Sequence, residues 1–332
     1  MSTGRLTMED VAARAGVSRA LVSIVFRGVS GASEATRARV LAAAAELGYE
    51  PDRRASRLGR SRTRMVGVVF TFGGDFHAEV IDGIYAAADE HGYEIVLSAA
   101  TTRRSEEAAI RAVLAERCEG VILIGPQLPT SQIAALATRA PTVVLLRHLR
   151  LTTVDVVRTD EKAAMTLLIE HLTGLGHERI VHLDGGPAAG AAQRRQGYHA
   201  AMTSHALVPQ TLPGGLGEES GAQAADDVLQ RPASSRPTAV AAFNDRCAAG
   251  VLHRLRGSKL HVPGDFSLTG FDDIPAAGYH HLQLTTIRQD ADQLGHRALE
   301  LLRDRLDDVA DPAPPHLIAP SLTIRHTTAP PA

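Results

Sequence analysis

The sequence predicts an α/β protein with an all-helical N-terminal part and a body built on parallel sheets. Between residues 7 and 48, three short segments show the apolar spacing of helices, and each follows a residue that favours a helix N-terminus. From Met65 onward, short apolar runs alternate with amphipathic segments, which is typical of strand–helix–strand repetition. The chain has 332 residues, enough for two or three domains and a large core.

The first two predicted helices are joined by a tight turn. Thr7 can cap the first helix, with Asp10 three residues later as its reciprocal acidic partner. Gly16 allows a tight connection, because glycine reaches backbone angles that other residues avoid. Ser18 can cap the second helix, which we expect to run to about Arg27.

The second predicted helix has two different faces. Val22, Val25 and Phe26 form its apolar side, and the other face carries Arg19, Ala20, Ser23, Ile24 and Arg27. Two helices joined by a glycine-bearing turn fit a helix-turn-helix DNA reader. Other small helical bundles have the same geometry, so helical spacing alone leaves both interpretations open.

A third helix is predicted to complete this helical unit. Ser33 is its expected cap and Gly48 its end. The residues expected to face inward are Val40, Leu41, Ala44 and Leu47.

Composition and charge exclude several classes of protein. No apolar run approaches the roughly 20 residues of a membrane helix, and the polar N-terminus is unlike a secretory signal. The only two cysteines, Cys118 and Cys247, are expected to be free thiols in a reducing cytoplasm. Residues 1–64 contain 12 arginines and six acidic residues, a net charge of +6, whereas the remainder has 23 basic and 31 acidic residues, a net charge of −8. A basic module on an acidic body is typical of a DNA-binding unit attached to another domain.

The body is predicted to contain parallel sheets covered by helices on both faces. Strands are expected at 65–70, 94–98, 120–125, 142–146, 179–184, 238–243 and 266–270. Helices are expected at 77–91, 104–117, 160–174, 193–204, 245–256 and 290–307. Residues 311–316 and the terminal TTAPPA are interpreted as a proline-rich loop and a tail.

The body carries no catalytic signature, so we expect a binding protein rather than an enzyme. The sequence contains no GxGxxG, P-loop, HExxH or GxSxG motif. The adjacent pairs Asp272-Asp273 and His280-His281 are interpreted as surface loops rather than metal ligands. We therefore expect no metal and no cofactor, and a ligand site in the crevice at the strand ends.

Ordered motifs in the first 63 residues identify a family resemblance. The segments DVAARAGVS and TRARVLAAAAELGYEPDRRASRLGRSRT closely resemble the headpiece of the lactose-repressor family of transcription regulators. The match runs without a gap from Thr7 to about Thr63, and a weaker resemblance continues to the C-terminus. It implies a DNA-binding regulator, expected to be a repressor, that acts as a homodimer on a pseudo-palindromic operator.

The resemblance also implies which residues contact DNA. In the helical unit these are Thr7, Ser18, Arg19, Ala20, Ser23, Ile24 and Arg27. Ile24 stands where family members usually have an arginine, so the resemblance does not give the operator sequence. The basic segment DRRASRLGR is either a flexible linker or, as the resemblance implies, a hinge helix that orders on DNA and inserts Leu58 into the minor groove. The contacts implied for this segment are Arg54, Ala55, Ser56 and Leu58.

For the body, the resemblance implies two lobes like those of periplasmic sugar-binding proteins, with three crossings between them. The last crossing is expected after TTIRQD. The effector contacts implied by matching motifs are Thr71, Phe72, Phe76, Arg147, Arg194, Leu216, Asn244, Asp272 and Gln289. Arg194 and Asp272 suit a hydroxyl-rich ligand, and an interlobe salt bridge is the alternative interpretation. Gln289 is either a ligand contact or only a residue of the crossing strand.

Departures from the family pattern bear on the ligand. Leu216 stands where relatives often have an aromatic platform, Arg147 stands where purine-binding relatives have an aromatic residue, and the loop AAGAA at 188–192 lacks polar groups that read a base. These features favour a sugar or another small metabolite over a purine. A transport-type binding protein is the main rival interpretation, and the basic headpiece and the missing signal peptide argue against it.

The expected domain boundaries follow from these segments. Residues 1–50 form the DNA-binding headpiece, 51–62 the hinge, and 63–332 the effector-binding and dimerisation body. Lobe one is expected to comprise about 63–160 plus 291–320, and lobe two about 161–290 plus the C-terminal segment.

Overall fold

The structure is a computed structural model that describes residues 6–49, 62–72, 74–256, 258, 260–309 and 314–332. The chain divides into two compact units, Met1–Thr63 and Arg64–Ala332. We call the first the headpiece and the second the body.

The described part of the headpiece contains three helices: α1 (Met8–Ala15), α2 (Arg19–Arg27) and α3 (Glu34–Leu47). Each begins at the predicted cap. Thr7 and Asp10 form a reciprocal capping box, and the Ser18 hydroxyl accepts a hydrogen bond from the Leu21 amide at 3.2 Å. Gly16 ends α1 in the left-handed conformation with φ 65°, which explains the need for glycine in this turn.

The headpiece core is formed where the three helices meet. Its buried residues are Val11, Ala12, Ala15, Val22, Val25, Val40, Ala43 and Ala44. The prediction that Leu41 faces this core is wrong, because its side chain is 48% exposed. Val40, Ala43, Ala44 and Leu47 already define the inward stripe at helical spacing, and Leu41 lies one residue beyond that stripe.

Lobe one of the body is a six-stranded sheet with helices on both sides. Its strands in chain order are β1 (Met65–Thr71), β2 (Glu94–Ala100), β3 (Gly120–Ile124), β4 (Thr142–Leu145), β5 (Asp155–Thr159) and β11 (His316–Ile318). They pair in the order β11-β5-β4-β3-β1-β2, and every pairing is parallel. Its helices are α4 (Asp75–His91), α5 (Glu106–Ala115), α6 (Thr130–Ala137) and α11 (Ala291–Leu306).

Lobe two repeats this plan. Its strands are β6 (Ile180–Asp184), β7 (Gln210–Pro213), β8 (Ala239–Ala241), β9 (Ser267–Asp272), β10 (Thr285–Arg288) and β12 (Ser321–Thr323). They pair in the order β12-β10-β9-β8-β6-β7, and only β12 is antiparallel to its neighbour. Its helices are α7 (Glu161–Gly174), α8 (Ala191–Ser204), α9 (Glu218–Leu229) and α10 (Asp245–Arg256).

The chain crosses between the two sheets three times. The crossings follow β5, β10 and β11, and α11 returns to pack on lobe one. The crossing after TTIRQD is therefore the second, and the expectation that it is the last is wrong. The third crossing exists because residues 316–318 form the edge strand β11 of lobe one, and the first of these residues was predicted as the end of the loop 311–316.

The C-terminal TTAPPA segment is fixed to lobe two. The Thr327 hydroxyl donates to the Leu268 carbonyl at 2.7 Å, and the Ala329 amide donates to the Ser267 hydroxyl at 3.0 Å. The imidazole of His177 lies 2.9 Å from the Ala329 carbonyl and 2.8 Å from the Ser267 hydroxyl. Pro330 and Pro331 have no amide hydrogen to donate, but the hydrogen bonds that anchor this segment use donors of Thr327, Ala329 and lobe two.

All seven predicted strands and all six predicted body helices are present, with shifts of a few residues at their ends. Five strands and two helices of the described body were not predicted, among them β7 and β12, which carry few apolar residues in sequence. Within the described part of the chain, no helix is long and apolar enough to cross a membrane. Cys118 and Cys247 are both free and buried.

Candidate functional site

The exposed face of α2 carries the residues expected to contact DNA. Arg19 and Ala20 are exposed at its start, and Ser23 and Ile24 are half-buried. The hydroxyls of Thr7 and Ser18 serve as helix caps, so any contact they make with DNA comes in addition to that role. The hinge candidates Arg54, Ala55, Ser56 and Leu58 lie outside the described residues.

Side chains from α1 and α3 contact both ends of α2. Nε of Arg19 lies 3.0 Å from Oε1 of Glu9 on α1. At the other end, Arg37 of α3 donates to the carbonyls of Val25 at 3.1 Å and Val29 at 3.3 Å. Val25 lies in the last turn of α2, where its carbonyl also accepts from the Gly28 amide at 3.2 Å, and Val29 follows the end of the helix. Arg37 therefore stabilises the C-terminal end of the helix.

A cleft of about 610 Å³ lies between the two lobes, at the carboxyl ends of the strands in both sheets. Its lining includes eight of the nine predicted effector contacts: Thr71, Phe72, Phe76, Arg194, Leu216, Asn244, Asp272 and Gln289. Lobe one contributes the first three of these residues. Lobe two contributes the next four, and Gln289 lies at the second crossing between the lobes.

Arg194 is the central polar group of the cleft. It is only 6% exposed, and its guanidinium lies 3.5 Å from the centroid of the Phe271 ring and 4.6 Å from that of Phe243. One terminal nitrogen donates to the Phe243 carbonyl at 2.7 Å, and the other lies 3.6 Å from Oδ1 of Asp272. Its Nε has no hydrogen-bond partner among the described residues. The contacts fix the guanidinium and leave its Nε–H without a partner among the described residues.

The Arg194–Asp272 pair is a salt bridge, but it is not the interlobe bridge considered above, because both residues belong to lobe two. Asp272 also accepts a hydrogen bond from the Gln289 side-chain amide at 2.7 Å, and the Gln289 carbonyl oxygen accepts from the Thr159 hydroxyl at 2.5 Å. These two hydrogen bonds connect Thr159 of lobe one to Asp272 of lobe two through Gln289, which directly follows strand β10. Both interpretations of Gln289 are thus compatible with its position in the cleft.

Asp272 is held in a backbone conformation that a residue with a side chain rarely adopts. Its φ is 116°, and that of Asp273 is 60°. Such conformations cost about 1–3 kcal/mol each and persist where the surroundings enforce them. The interpretation of this pair as a surface loop is wrong, because Asp272 ends β9 in the cleft and Asp273 is buried against Arg325 at 2.7 Å. Within the described ranges, no group of three or more His, Cys, Asp or Glu residues could hold a metal ion.

Three carboxyl groups around Arg194 have raised pKa values. Burial is the main cause for Asp245 and Asp272, and also for Glu161. Arg194 partly offsets the rise at Asp272 and Glu161, because a neighbouring cation favours the ionised carboxylate. Glu161 pairs with Arg158 at 2.5 Å, and Asp245 accepts from the Thr286 hydroxyl at 2.5 Å.

Aromatic and aliphatic side chains form the walls around these polar groups. Phe72 is 73% exposed at the end of β1, whereas Phe76 is buried in the first turn of α4. On the opposite wall, Phe243 lies directly over Gly185, where an added Cβ would be 2.6 Å from the ring. Gly185 is therefore needed for the ring to approach the backbone. These surfaces suit the CH faces of a small ring-shaped ligand.

Arg147 is the one predicted effector residue that does not line the cleft. Its guanidinium donates to the carbonyls of Pro126 at 3.0 Å and Leu128 at 2.6 Å, so it braces the loop that follows β3. The preceding residue, Leu146, lines the cleft instead and has φ 62°. The backbone changes direction at Leu146, one residue before Arg147, and an effector contact by Arg147 stays a prediction.

Sequence reasoning missed several residues that line the cleft, among them His77, Gln127, Glu161, Ser220, Phe243 and Arg246. Most lie just beyond a predicted strand or at the start of a helix, so the strand–helix boundaries could have indicated them. His77 stands opposite lobe two, with Nδ1 3.2 Å from the Thr71 carbonyl. Burial lowers the pKa of its imidazole, which favours the neutral ring.

Comparison with known proteins agrees with this architecture. Residues 7–52 match the family described as "Bacterial regulatory proteins, lacI family", and residues 169–328 match a "Periplasmic binding protein-like domain". The chain is 30% identical to the HTH-type transcriptional regulator GalR of Escherichia coli (strain K12) over 336 residues, which cover 98% of this chain and 96% of the relative.

Two solved structures are similar to the body or to the whole chain. The LacI transcriptional regulator from a Rhodococcus species is 42% identical with a TM-score of 0.77, over 80% of this chain and 98% of that one. The lac repressor dimer bound to operator and the anti-inducer ONPF is 29% identical with a TM-score of 0.85, over 98% of this chain and 100% of that one. The chain therefore belongs to the lacI family of bacterial regulatory proteins and is a DNA-binding transcriptional regulator with an effector-binding domain.

Proposed function

We propose that the protein is a transcriptional repressor whose affinity for its operator is controlled by a small hydroxyl-rich ligand, a sugar or related metabolite, in the interlobe cleft. The observation that carries the proposal is the arrangement of Arg194, Asp272 and Gln289 in the middle of a cleft with aromatic walls. These three groups link lobe two to the second crossing between the lobes. A ligand that contacts them would therefore favour one arrangement of the two lobes over another.

The chemistry of the lining supports a neutral polar ligand. Arg194 donates, Asp272 accepts, and the amides of Asn244 and Gln289 can do both. Sugars combine such donors and acceptors with apolar CH faces, which match Phe72 and Phe243. The Ala188 and Ala189 side chains at the cleft offer no polar group to read a purine base.

A thermal-shift screen of sugars and related metabolites tests the effector. A ligand that binds only the folded protein raises the melting temperature by mass action, by an amount that grows with its concentration. The hit must also change operator affinity in a gel shift. The assignment of ligand class would be overturned if no neutral sugar raised the melting temperature and a nucleobase clearly raised it.

The DNA-binding form is proposed to be a homodimer on a pseudo-palindromic operator. The lac repressor relative is a dimer bound to operator, and two-fold symmetric helix-turn-helix proteins bind two half-sites related by the same symmetry. Because operator DNA is in the bacterial cytoplasm, we infer that the protein works there. A gel shift with the DNA flanking its own coding region, competed with random DNA, tests operator binding.

Arg19 is proposed to read the operator directly, because it is the long donor at the exposed start of α2. If it donates to a guanine, Arg19→Ala should cost about 1–3 kcal/mol of binding free energy and relax the preference at one base per half-site. A binding-site selection on wild type and variant measures both quantities. Unchanged affinity and an unchanged selected motif would remove Arg19 from base recognition.

A further inference from the structure

The exposed acidic residue Glu9 lies on the same surface as the start of α2. It is the second residue of α1, whereas Arg19 is the first residue of α2, and the Gly16 turn brings the two together. Nε of Arg19 lies 3.0 Å from Oε1 of Glu9, and the side chains are 68% and 65% exposed. The backbone on both sides is fixed by helix caps at Thr7 and Ser18, so only the side chains are free to rearrange.

An ion pair this exposed contributes little to folding stability, because water screens both charges. Its geometry has a stronger consequence for recognition. Guanidinium has donors on two edges, and Glu9 occupies the Nε position. The terminal Nη1 and Nη2 groups remain available as a parallel pair, which is the arrangement that the O6 and N7 atoms of guanine accept.

Glu9 also brings a negative charge to the surface that must approach phosphate. A carboxylate there weakens binding to every DNA sequence alike, since non-specific affinity arises from neutralised phosphates. Glu9 is one of six acidic residues that accompany 12 arginines in residues 1–64.

We propose that Glu9 is a specificity-determining residue of the DNA-binding face, which orients the Arg19 guanidinium toward one base and lowers affinity for non-operator DNA. The inference rests on the proposed role of Arg19 in reading the operator. It assigns to α1 a part in base selection that acts through Arg19.

The test is a binding-site selection with the full-length protein, followed by affinity measurements on the selected operator and on scrambled DNA at several salt concentrations. The variants are Glu9→Ala, Glu9→Gln, Arg19→Ala and the double variant Glu9→Ala/Arg19→Ala. The matched control is Glu46→Ala, because Glu46 of α3 is 55% exposed and pairs with Arg14 of α1 rather than with α2. Circular dichroism confirms that each variant keeps its helices.

We expect Glu9→Ala and Glu9→Gln to bind scrambled DNA at least threefold more tightly and to lose three- to tenfold of the preference for the base that Arg19 reads. In the Arg19→Ala background, removal of Glu9 should leave base preference unchanged, because Glu9 acts through Arg19. Glu46→Ala should strengthen binding to all sequences alike and keep the selected motif.

Two results would overturn the inference: full base preference in Glu9→Ala, or an equal loss of preference in Glu46→Ala. The outcome for Arg19→Ala separates this failure from that of the proposed function. If Arg19→Ala loses the base preference while Glu9→Ala keeps it, only the role of Glu9 is wrong. If Arg19→Ala keeps it, direct reading by Arg19 is wrong as well.

Discussion

At the scale of single residues, the cleft holds a buried charge that depends on its neighbours. A cation as buried as Arg194 would be very costly alone, and Asp272, the Phe243 carbonyl and two aromatic rings together stabilise it. Nε of Arg194 is buried without a hydrogen-bond partner among the described residues.

The first prediction concerns Asp272. Asp272→Ala should abolish the response of DNA binding to the effector, because loss of a buried hydrogen-bond partner costs about 1–3 kcal/mol, roughly tenfold or more in affinity. Titration calorimetry with the ligand found by thermal shift measures the loss, and a gel shift without ligand should show unchanged operator binding. Asp272→Asn, which keeps the shape, controls for misfolding around Arg194. A response at the same ligand concentration would remove Asp272 from the site.

The second prediction compares two adjacent residues of α3. Val40 is fully buried and Leu41 is 48% exposed. Val40→Ala removes two buried carbon atoms and should destabilise the headpiece by about 2 kcal/mol, at roughly 0.8 kcal/mol for each plus a cavity contribution. Leu41→Ala should change the stability of the headpiece by less than about 0.5 kcal/mol. Hydrogen exchange of headpiece amides in the full-length protein measures both, and equal loss of protection would contradict this assignment of faces.

At the scale of elements, local interactions set the boundaries of the headpiece helices. Each cap and each glycine acts within three or four residues, so the start and end of α1, α2 and α3 were predictable. The segment DRRASRLGR has no comparable local signal, because its charge prevents it from building a core of its own.

A third prediction concerns this segment, which we propose folds as a hinge helix only on operator DNA. Two copies in a dimer would meet at the operator centre, where Leu58 would kink the central base step. Leu58→Ala should weaken operator binding but barely change binding to random DNA, which depends on phosphate contacts. Circular-permutation assays should show a straighter complex. Equal loss on both DNAs with unchanged bending would indicate a simple tether.

At the scale of the whole molecule, acidic groups from both lobes approach each other beside the crossing strand. Glu79 of α4 in lobe one has Oε1 buried without a hydrogen-bond partner among the described residues. Burial raises its pKa to about 7, with further increases from Asp272, Asp273 and Asp292 and a partial decrease from Arg288. A carboxyl with a raised pKa in the folded state favours folding at low pH and opposes it once ionised.

The fourth prediction follows from the direction of that shift. The favourable contribution of Glu79 to folding stability is fully present below the ordinary glutamate pKa of about 4.5, and it is lost as pH rises through about 7. Glu79→Gln, which is neutral at all pH values, should therefore melt at a higher temperature than wild type at pH 8 and at a similar temperature at pH 4.5. Calorimetry across this range measures the difference. Asp82→Asn on the same helix is the control, and a constant difference from pH 4.5 to pH 8 would contradict the prediction.

The sequence by itself determined the headpiece helices, seven strands of the body and the family. These depend on caps, apolar periodicity and ordered motifs, and such signals are complete within short segments. It also indicated eight residues of the cleft, because its motifs resemble those of the family.

Only the tertiary structure decided how the site is connected. The hydrogen bond from Thr159 to Gln289 joins residues 130 positions apart, and the one from Arg194 to the Phe243 carbonyl joins residues 49 positions apart. Arg147 turned away from the cleft because two loop carbonyls accept its donors, and Glu161 entered it because the first crossing ends there. Local propensities extend over a few residues, whereas side-chain partners are set by which strand ends the sheet order brings together.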